Sequence, residues 1–291
     1  ALDPKTGGIL ALVSSPGFDP NTFIGSLNNQ GFNLLRQNKD IPLFNRATNG
    51  QYSPGSTIKP LIALAGLNLG IITPETEIFD QGYFQLPNDE RRYRNWRRSG
   101  HGEVNLKRAI SVSNNTYFYN LAYQLGIDNI YAYMASLGFG QVTDQDVHSS
   151  KAGLMPSRPW KQSTHRLPWF PGETLSTGIG QGYWLTTPLQ LATAVNFIAS
   201  QGQWLAPKLV ANSNLNNTQL KTNELENIEL KNSRHWQYIT QAMTEVMHGR
   251  EGTARFSGAG AKYKIAGKTP LAPQVGAVQI IFPEAFSSLT A

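Results

Sequence analysis

Cysteine is absent from this chain of 291 residues, so neither a disulfide nor a thiolate metal site can form. The fold must hold by packing alone and is indifferent to an oxidising compartment. No apolar run is long enough to span a bilayer, and no basic-then-apolar leader opens the chain. Charge of one sign is scarce as well: 25 Lys and Arg against 19 Asp and Glu leave a net charge of +6, small for the length. Much of that excess is local to Arg91, Arg92, Arg94, Arg97 and Arg98, interleaved with Tyr93 and Trp96. With no nucleic-acid-binding motif around it, this run reads as a solvated loop face, or functionally as a rim for an acidic partner; no nucleic-acid partner is expected. Acid–base pairs are missing too, and Glu173, Glu245 and Glu251 are expected to be solvated surface carboxylates. Asp80 and His101 flank the basic run, but their nearest companions Asn95 and Asn114 are poor ligands, so no metal site and no cofactor are expected.

What is present suits a folded enzyme. An apolar fraction of 40% can bury a sizeable core, while 27 Gly and 17 Pro indicate one loop-rich α+β domain. The chain opens on a strand–turn–strand pattern, with Gly7-Gly8 as the turn and residues 9–13 as the second strand. A start inside such a pattern suggests an excised domain, with any membrane anchor or dimerisation region upstream.

The most informative stretch is Ser56-Thr57-Ile58-Lys59. A hydroxyl and an amine at i and i+3 face the same way on a helix, so the amine can take the hydroxyl proton. Residues 60–67 read as a buried helix, with Pro60 tolerated because first-turn N–H groups lack helical partners anyway. The positive end of that helix and an apolar shell favour a neutral Lys59 and a developing serine alkoxide. An S-x-x-K by itself is usually only a helix cap.

Two further motifs change that weighting. Residues 42–60, with Pro54-Gly55 as the turn that delivers Ser56, resemble the active-site block of class B penicillin-binding proteins. Ser113-Asn114-Asn115 lies downstream between two helix-like runs, where that family carries its S-x-N motif. Residues 175–192, glycine-rich before a helix expected over 189–199, narrow the resemblance to the elongation type, penicillin-binding protein 2. The resemblance covers residues 1 to about 269.

It implies a β-lactamase/transpeptidase-like fold, an antiparallel sheet flanked by helices with an α-helical lobe, and a serine D,D-transpeptidase that cross-links peptidoglycan stem peptides and is acylated by β-lactams. Ser56 would be nucleophile, Lys59 base, Ser113 proton relay and Asn115 substrate clamp. Lys268 and Thr269 would anchor the terminal carboxylate, and the N–H groups of Ser56 and Leu271 would form the oxyanion hole. The implied partners include the membrane glycosyltransferase RodA and the elongation machinery, at the periplasmic face of the inner membrane.

The resemblance breaks at the third motif. After Gly267-Lys268-Thr269 the family continues Gly-Thr-Ala, whereas this chain has Pro270-Leu271-Ala272-Pro273. Pro270 adds bulk and removes a backbone donor where strand and serine helix approach closely. Residues 275–282 read as one strand, the sheet as incomplete, and the abrupt change after Thr269 suggests a displaced reading frame. Two rival readings follow: a catalytically impaired domain kept as a binding module, and a serine β-lactamase, disfavoured because no acidic residue stands in an obvious deacylating position. The loop 249–254, after His248, resembles the family's Gly-Thr-Ala turn, with a structural role expected for His248.

Overall fold

The structure is a computed structural model, described here for all residues except 24–28, 145, 148, 211–224, 271–279 and 284–291. Among the described residues the order begins with α1 (Asn29–Gln37), α2 (Lys59–Asn68), β1 (Glu77–Asp80), β2 (Tyr83–Gln85), β3 (Arg92–Arg94), β4 (Gly102–Asn105) and α3 (Leu106–Ser111). It continues with α4 (Asn115–Ser136), α5 (Arg158–His165), α6 (Pro171–Gly178), α7 (Pro188–Ala199), α8 (Arg234–His248), α9 (Arg255–Gly258), β5 (Ile265–Lys268) and β6 (Ile280–Pro283).

The core forms around α2, which is apolar on all sides and buried on all sides. Ile58, Leu61, Ile62 and Leu64 are each 0% exposed, and every such side chain contributes about 1.5–3 kcal/mol of burial. Helix α4 packs across α2 and α6, and α8 lies against α3 and β5. Gly126, at φ 72° and ψ 159°, breaks α4 into two straight parts. Behind α6, Trp184 stacks edge-on against Phe139 at 5.0 Å, closing the base of the helical lobe.

Strands pair only locally: β1 with β4, β2 with β3 and β5 with β6, all antiparallel. The last pair, with Lys268 opposite Ile280, is the described part of the expected sheet; of the strand expected over 275–282, residues 275–279 lie outside the described residues. One expectation needs correction and another refinement. At the amino end Gly7 does turn the chain, yet residues 9–13 form no ladder with any described strand; among the described residues this segment shows the isolated bridges Leu2↔Ile9 and Gly8↔Lys208. The arginine-rich run is in part a hairpin: Arg92–Arg94 forms β3 against β2 with Tyr93 turned into the core, while Arg91, Arg97 and Arg98 lie outside the strand and all five arginines are exposed, as a solvated face.

Candidate active site

Pro54 and Gly55 bend the chain into a single 3-10 turn, Gly55–Ile58, that runs directly into α2. The Thr57 hydroxyl donates to Pro54 O at 2.5 Å and Gly55 N–H donates to Gly180 O at 2.8 Å, so the turn is braced from both sides. Gly55 and Gly180 both have positive φ, 58° and 73°. A β-carbon on Gly180 would stand 2.2 Å from Gly55 O, so the close approach admits no side chain there. Ser56 is held at this turn, 2% exposed, and its hydroxyl makes no hydrogen bond to any described residue.

One turn on, Lys59 is wholly buried. Its Nζ donates to Ser113 O at 2.9 Å, to Asn115 Oδ1 at 2.7 Å and to Ser113 Oγ at 3.3 Å. Burial, and then the charge of Lys268, hold its pKa well below the ordinary lysine value. Lys268, at the end of β5, reaches Ser113 Oγ at 2.9 Å and its own neighbour's carbonyl, Thr269 O, at 3.0 Å. Burial pulls the Lys268 ammonium down to about 7.

Donor counting shows how this cluster can move a proton. Ser113 O and Asn115 Oδ1 can only accept, so a neutral Lys59, with two N–H bonds, satisfies both. Its lone pair is then left for an O–H, and the Ser113 hydroxyl, already accepting from Lys268, can supply one. Ser113 is thus the one neighbour able to reverse direction. It also has the unusual φ of 54°, a left-handed conformation that costs a non-glycine residue about 1–3 kcal/mol. Asn114 caps α4 by accepting from Tyr117 N–H at 2.7 Å.

The sheet side is sparser. Thr269 Oγ1 lies 2.7 Å from Thr253 Oγ1, a partner that the sequence reading did not single out although its loop was noticed. Pro270 follows, partly exposed; Leu271, the expected second oxyanion donor, lies outside the described residues. His248 accepts from Ile265 N–H at 2.9 Å, a tie between α8 and β5 that fits the structural role expected for it. Of the three carboxylates expected to be solvated, Glu251 and Glu245 are about half exposed and also pair with Arg108 at 3.0 Å and Lys107 at 3.5 Å, while Glu173 is mostly covered and pairs with Lys161.

The structure therefore joins Lys59, Ser113, Asn115, Lys268 and Thr269 by hydrogen bonds where the helical lobe meets β5, with Ser56 one turn before Lys59. Asn115 turns its Oδ1 to Lys59. No group of three or more His, Cys, Asp or Glu suited to a metal is found among the described residues. Sequence reasoning missed Thr253 and the Gly55–Gly180 contact, since each joins segments far apart in the chain.

Comparison with known proteins accords with this geometry. The family model described as "Penicillin binding protein transpeptidase domain" matches residues 1–277, running past the altered third motif. The chain is 39% identical over 276 residues to the peptidoglycan D,D-transpeptidase MrdA of Escherichia coli strain K12, covering 94% of this chain and 44% of that protein. It thus spans less than half the length of that relative. Penicillin-binding protein 2 of Pseudomonas aeruginosa superposes with a TM-score of 0.91 at 44% identity, covering 97% of this chain and 64% of that one. The same protein of Helicobacter pylori, solved in complex with MreC, superposes at 0.84 with 30% identity, covering 93% and 49%. This chain belongs to the penicillin-binding protein transpeptidase family, on its penicillin-binding protein 2 branch.

Proposed function

We propose that this chain is the catalytic domain of a peptidoglycan D,D-transpeptidase working through a serine acyl-enzyme. The observation that carries the reading is Lys59: a fully buried amine, its ammonium disfavoured, one turn from Ser56 and in contact with Ser113. Ser56 Oγ attacks the carbonyl carbon of the penultimate D-alanine while its proton passes to Lys59. The tetrahedral oxyanion is met by the Ser56 N–H, while the second donor that the family would supply falls on Leu271, outside the described residues. As the C–N bond breaks, the proton moves from Lys59 through Ser113 to the departing nitrogen, and D-alanine leaves. An amine of a neighbouring stem peptide then attacks the ester, gives up a proton to the same relay and regenerates the serine hydroxyl. Lys268 and Thr269 hold the terminal carboxylate, and Asn115 orients Lys59 while presenting its amide N–H to the peptide.

The working protein is proposed to be membrane-anchored, to act at the periplasmic face, and to assemble with elongation partners such as RodA and an MreC-like protein. The H. pylori relative seen with MreC supports the last point.

A fluorescent penicillin tests the chemistry. A stable adduct that maps to Ser56 and disappears in Ser56→Ala is expected. Rapid turnover of the label would identify a β-lactamase instead, and no label on a folded chain would identify a binding module.

A further inference from the structure

Beneath the Ser113 turn lies a buried polar cluster that no step above uses. Asp80, at the end of β1, is 1% exposed. Its Oδ2 receives Asn95 Nδ2 and Asn114 Nδ2 at 2.7 Å each, His101 Nδ1 at 2.9 Å and His101 N–H at 3.0 Å. Its Oδ1 receives the Thr116 hydroxyl at 2.6 Å and Gly82 N–H at 2.8 Å. Burial pushes this carboxyl up, but the hydrogen bonds from Thr116, His101, Gly82 and Asn114 outweigh it and leave the pKa at about 2. The ion is therefore fully solvated by protein donors.

The orientation of the two amides is fixed from their far sides. Asn95 Oδ1 accepts from Trp96 N–H at 2.9 Å and Asn115 N–H at 3.1 Å, and Asn114 Oδ1 accepts from Tyr117 N–H. Both amides must then turn N–H groups toward Asp80, so a cation placed there would meet only Asp80 and His101 as ligands, fewer than the three or four zinc takes. The members belong instead to one anion-centred network, and three of its outward connections end on the Ser113 turn. Asn114 is gripped directly, Asn115 N–H is held by Asn95, and Trp96 Nε1 donates to Val112 O at 3.0 Å. The residues on both sides of the strained Ser113 are thus fixed, while Ser113 itself is left to Lys59 and Lys268.

We propose that Asp80 is a positioning residue whose carboxylate, acting through Asn95, Asn114, Thr116 and His101, keeps the Ser113 turn left-handed and so presents Ser113 and Asn115 to Lys59. The inference rests on the acyl-transfer reading given above. A carboxylate serves here because it is acceptor-only on both oxygens, with about four lone-pair sites to share among the donors that converge on it, whereas an amide in its place would turn an N–H toward them. Its effect on the chemistry is indirect: it sets the two acceptors and the relay hydroxyl that surround the base.

The test compares Asp80→Asn and Trp96→Phe with the unaltered chain, using benzylpenicillin and stopped-flow kinetics that separate the acylation rate constant from the dissociation constant of the initial complex. Asp80→Asn swaps an acceptor for an amide donor facing two other amides. It is expected to lower the acylation rate constant about a hundredfold, the scale of a misplaced catalytic group, with initial binding changed less than about twofold. Trp96→Phe removes one hydrogen bond and keeps the packing, and is expected to lower the same constant about three- to tenfold. Should Asp80→Asn not fold, Trp96→Phe decides. An unchanged rate constant in a folded variant overturns the proposal, as does a wild-type rate that falls on treatment with a strong chelator. A chain that never labels at Ser56 refutes the function rather than the positioning. The conformation of Ser113 in a crystal structure of the variant then decides, because a left-handed φ retained without the carboxylate overturns the proposal.

Discussion

The two sides of the site are built differently. On the helical side, Ser56, Lys59, Ser113 and Asn115 are rooted in α2 and α4, buried, and braced by contacts such as Gly55 to Gly180 and Asn115 to Asn95. On the sheet side, Lys268 and Thr269 stand at the end of a two-stranded pair, held by Thr253 and followed at once by Pro270. The helical side is held by many contacts that converge on the Ser113 turn, whereas among the described residues fewer contacts hold Lys268 and Thr269. On the proposed mechanism the comparison also separates tasks: the braced side would carry the bond-making groups, and the other side those that would grip a carboxylate.

The largest effect is expected on the braced side. Ser56→Ala should leave penicillin labelling undetectable while the unfolding midpoint moves little, since at most about 1 kcal/mol of first-turn capping is lost. Labelling that persists in that variant would remove Ser56 from its role. Lys59→Ala should slow acylation about 10²–10⁴-fold, the range for losing a general base, as read by the time course of adduct formation.

Crossing to the sheet side, replacing Pro270-Leu271-Ala272-Pro273 with Gly-Thr-Ala-Gln should speed acylation, by up to about a hundredfold if the oxyanion donor is recovered. An unchanged rate in a folded protein would mean that Pro270 is no obstacle.

Lys268 offers a test by pH. Burial holds it at about 7, so its ammonium, and with it the grip on a carboxylate, is lost as pH rises through that value. The second-order acylation rate should therefore decline above about pH 7, and Lys268→Arg, charged throughout, should abolish that decline. Stability should run the opposite way. Unfolded Lys268 regains the ordinary value of 10.5, so the unfolded state binds more protons and stability rises with pH between about 7 and 10.5. Lys59, depressed first by burial and then by Lys268, contributes with the same sign. Denaturant midpoints at both ends of that window should show a shallower rise for Lys268→Met. The smallest effect is expected from Thr253→Val, which removes one hydroxyl contact with Thr269 and should cost about 1 kcal/mol in chemical unfolding.

How much could be read beforehand follows the same division. Ser56 and Lys59 were legible because their relation is one helical turn, and Ser113 and Asn115 because a helix start brings them together within a few residues. Helix α7 was legible from its apolar run and its boundaries. The Asp80 cluster was legible only as a list of poor metal ligands. Its bonds span up to 36 positions, and no local pattern tells an acceptor meeting donors from ligands awaiting an ion. Pairing of the carboxylates was missed likewise: Arg108 and Glu251 stand 143 positions apart. The amino-terminal strand–turn–strand pattern misled because a strand needs a neighbour as well as an apolar run.

The contact between Gly55 and Gly180 has a meaning for the evolution of this site. With 2.2 Å of room, position 180 is closed to every other residue, and an exchange there would push the nucleophile's turn away from its lysine. Descendants selected for a changed response to an acylating inhibitor cannot begin from this point. Their first steps fall on surfaces that have slack, such as the exposed Arg91, Arg92, Arg94, Arg97 and Arg98. Variation in this lineage is thereby steered to the rim, while the backbone that delivers the serine stays fixed.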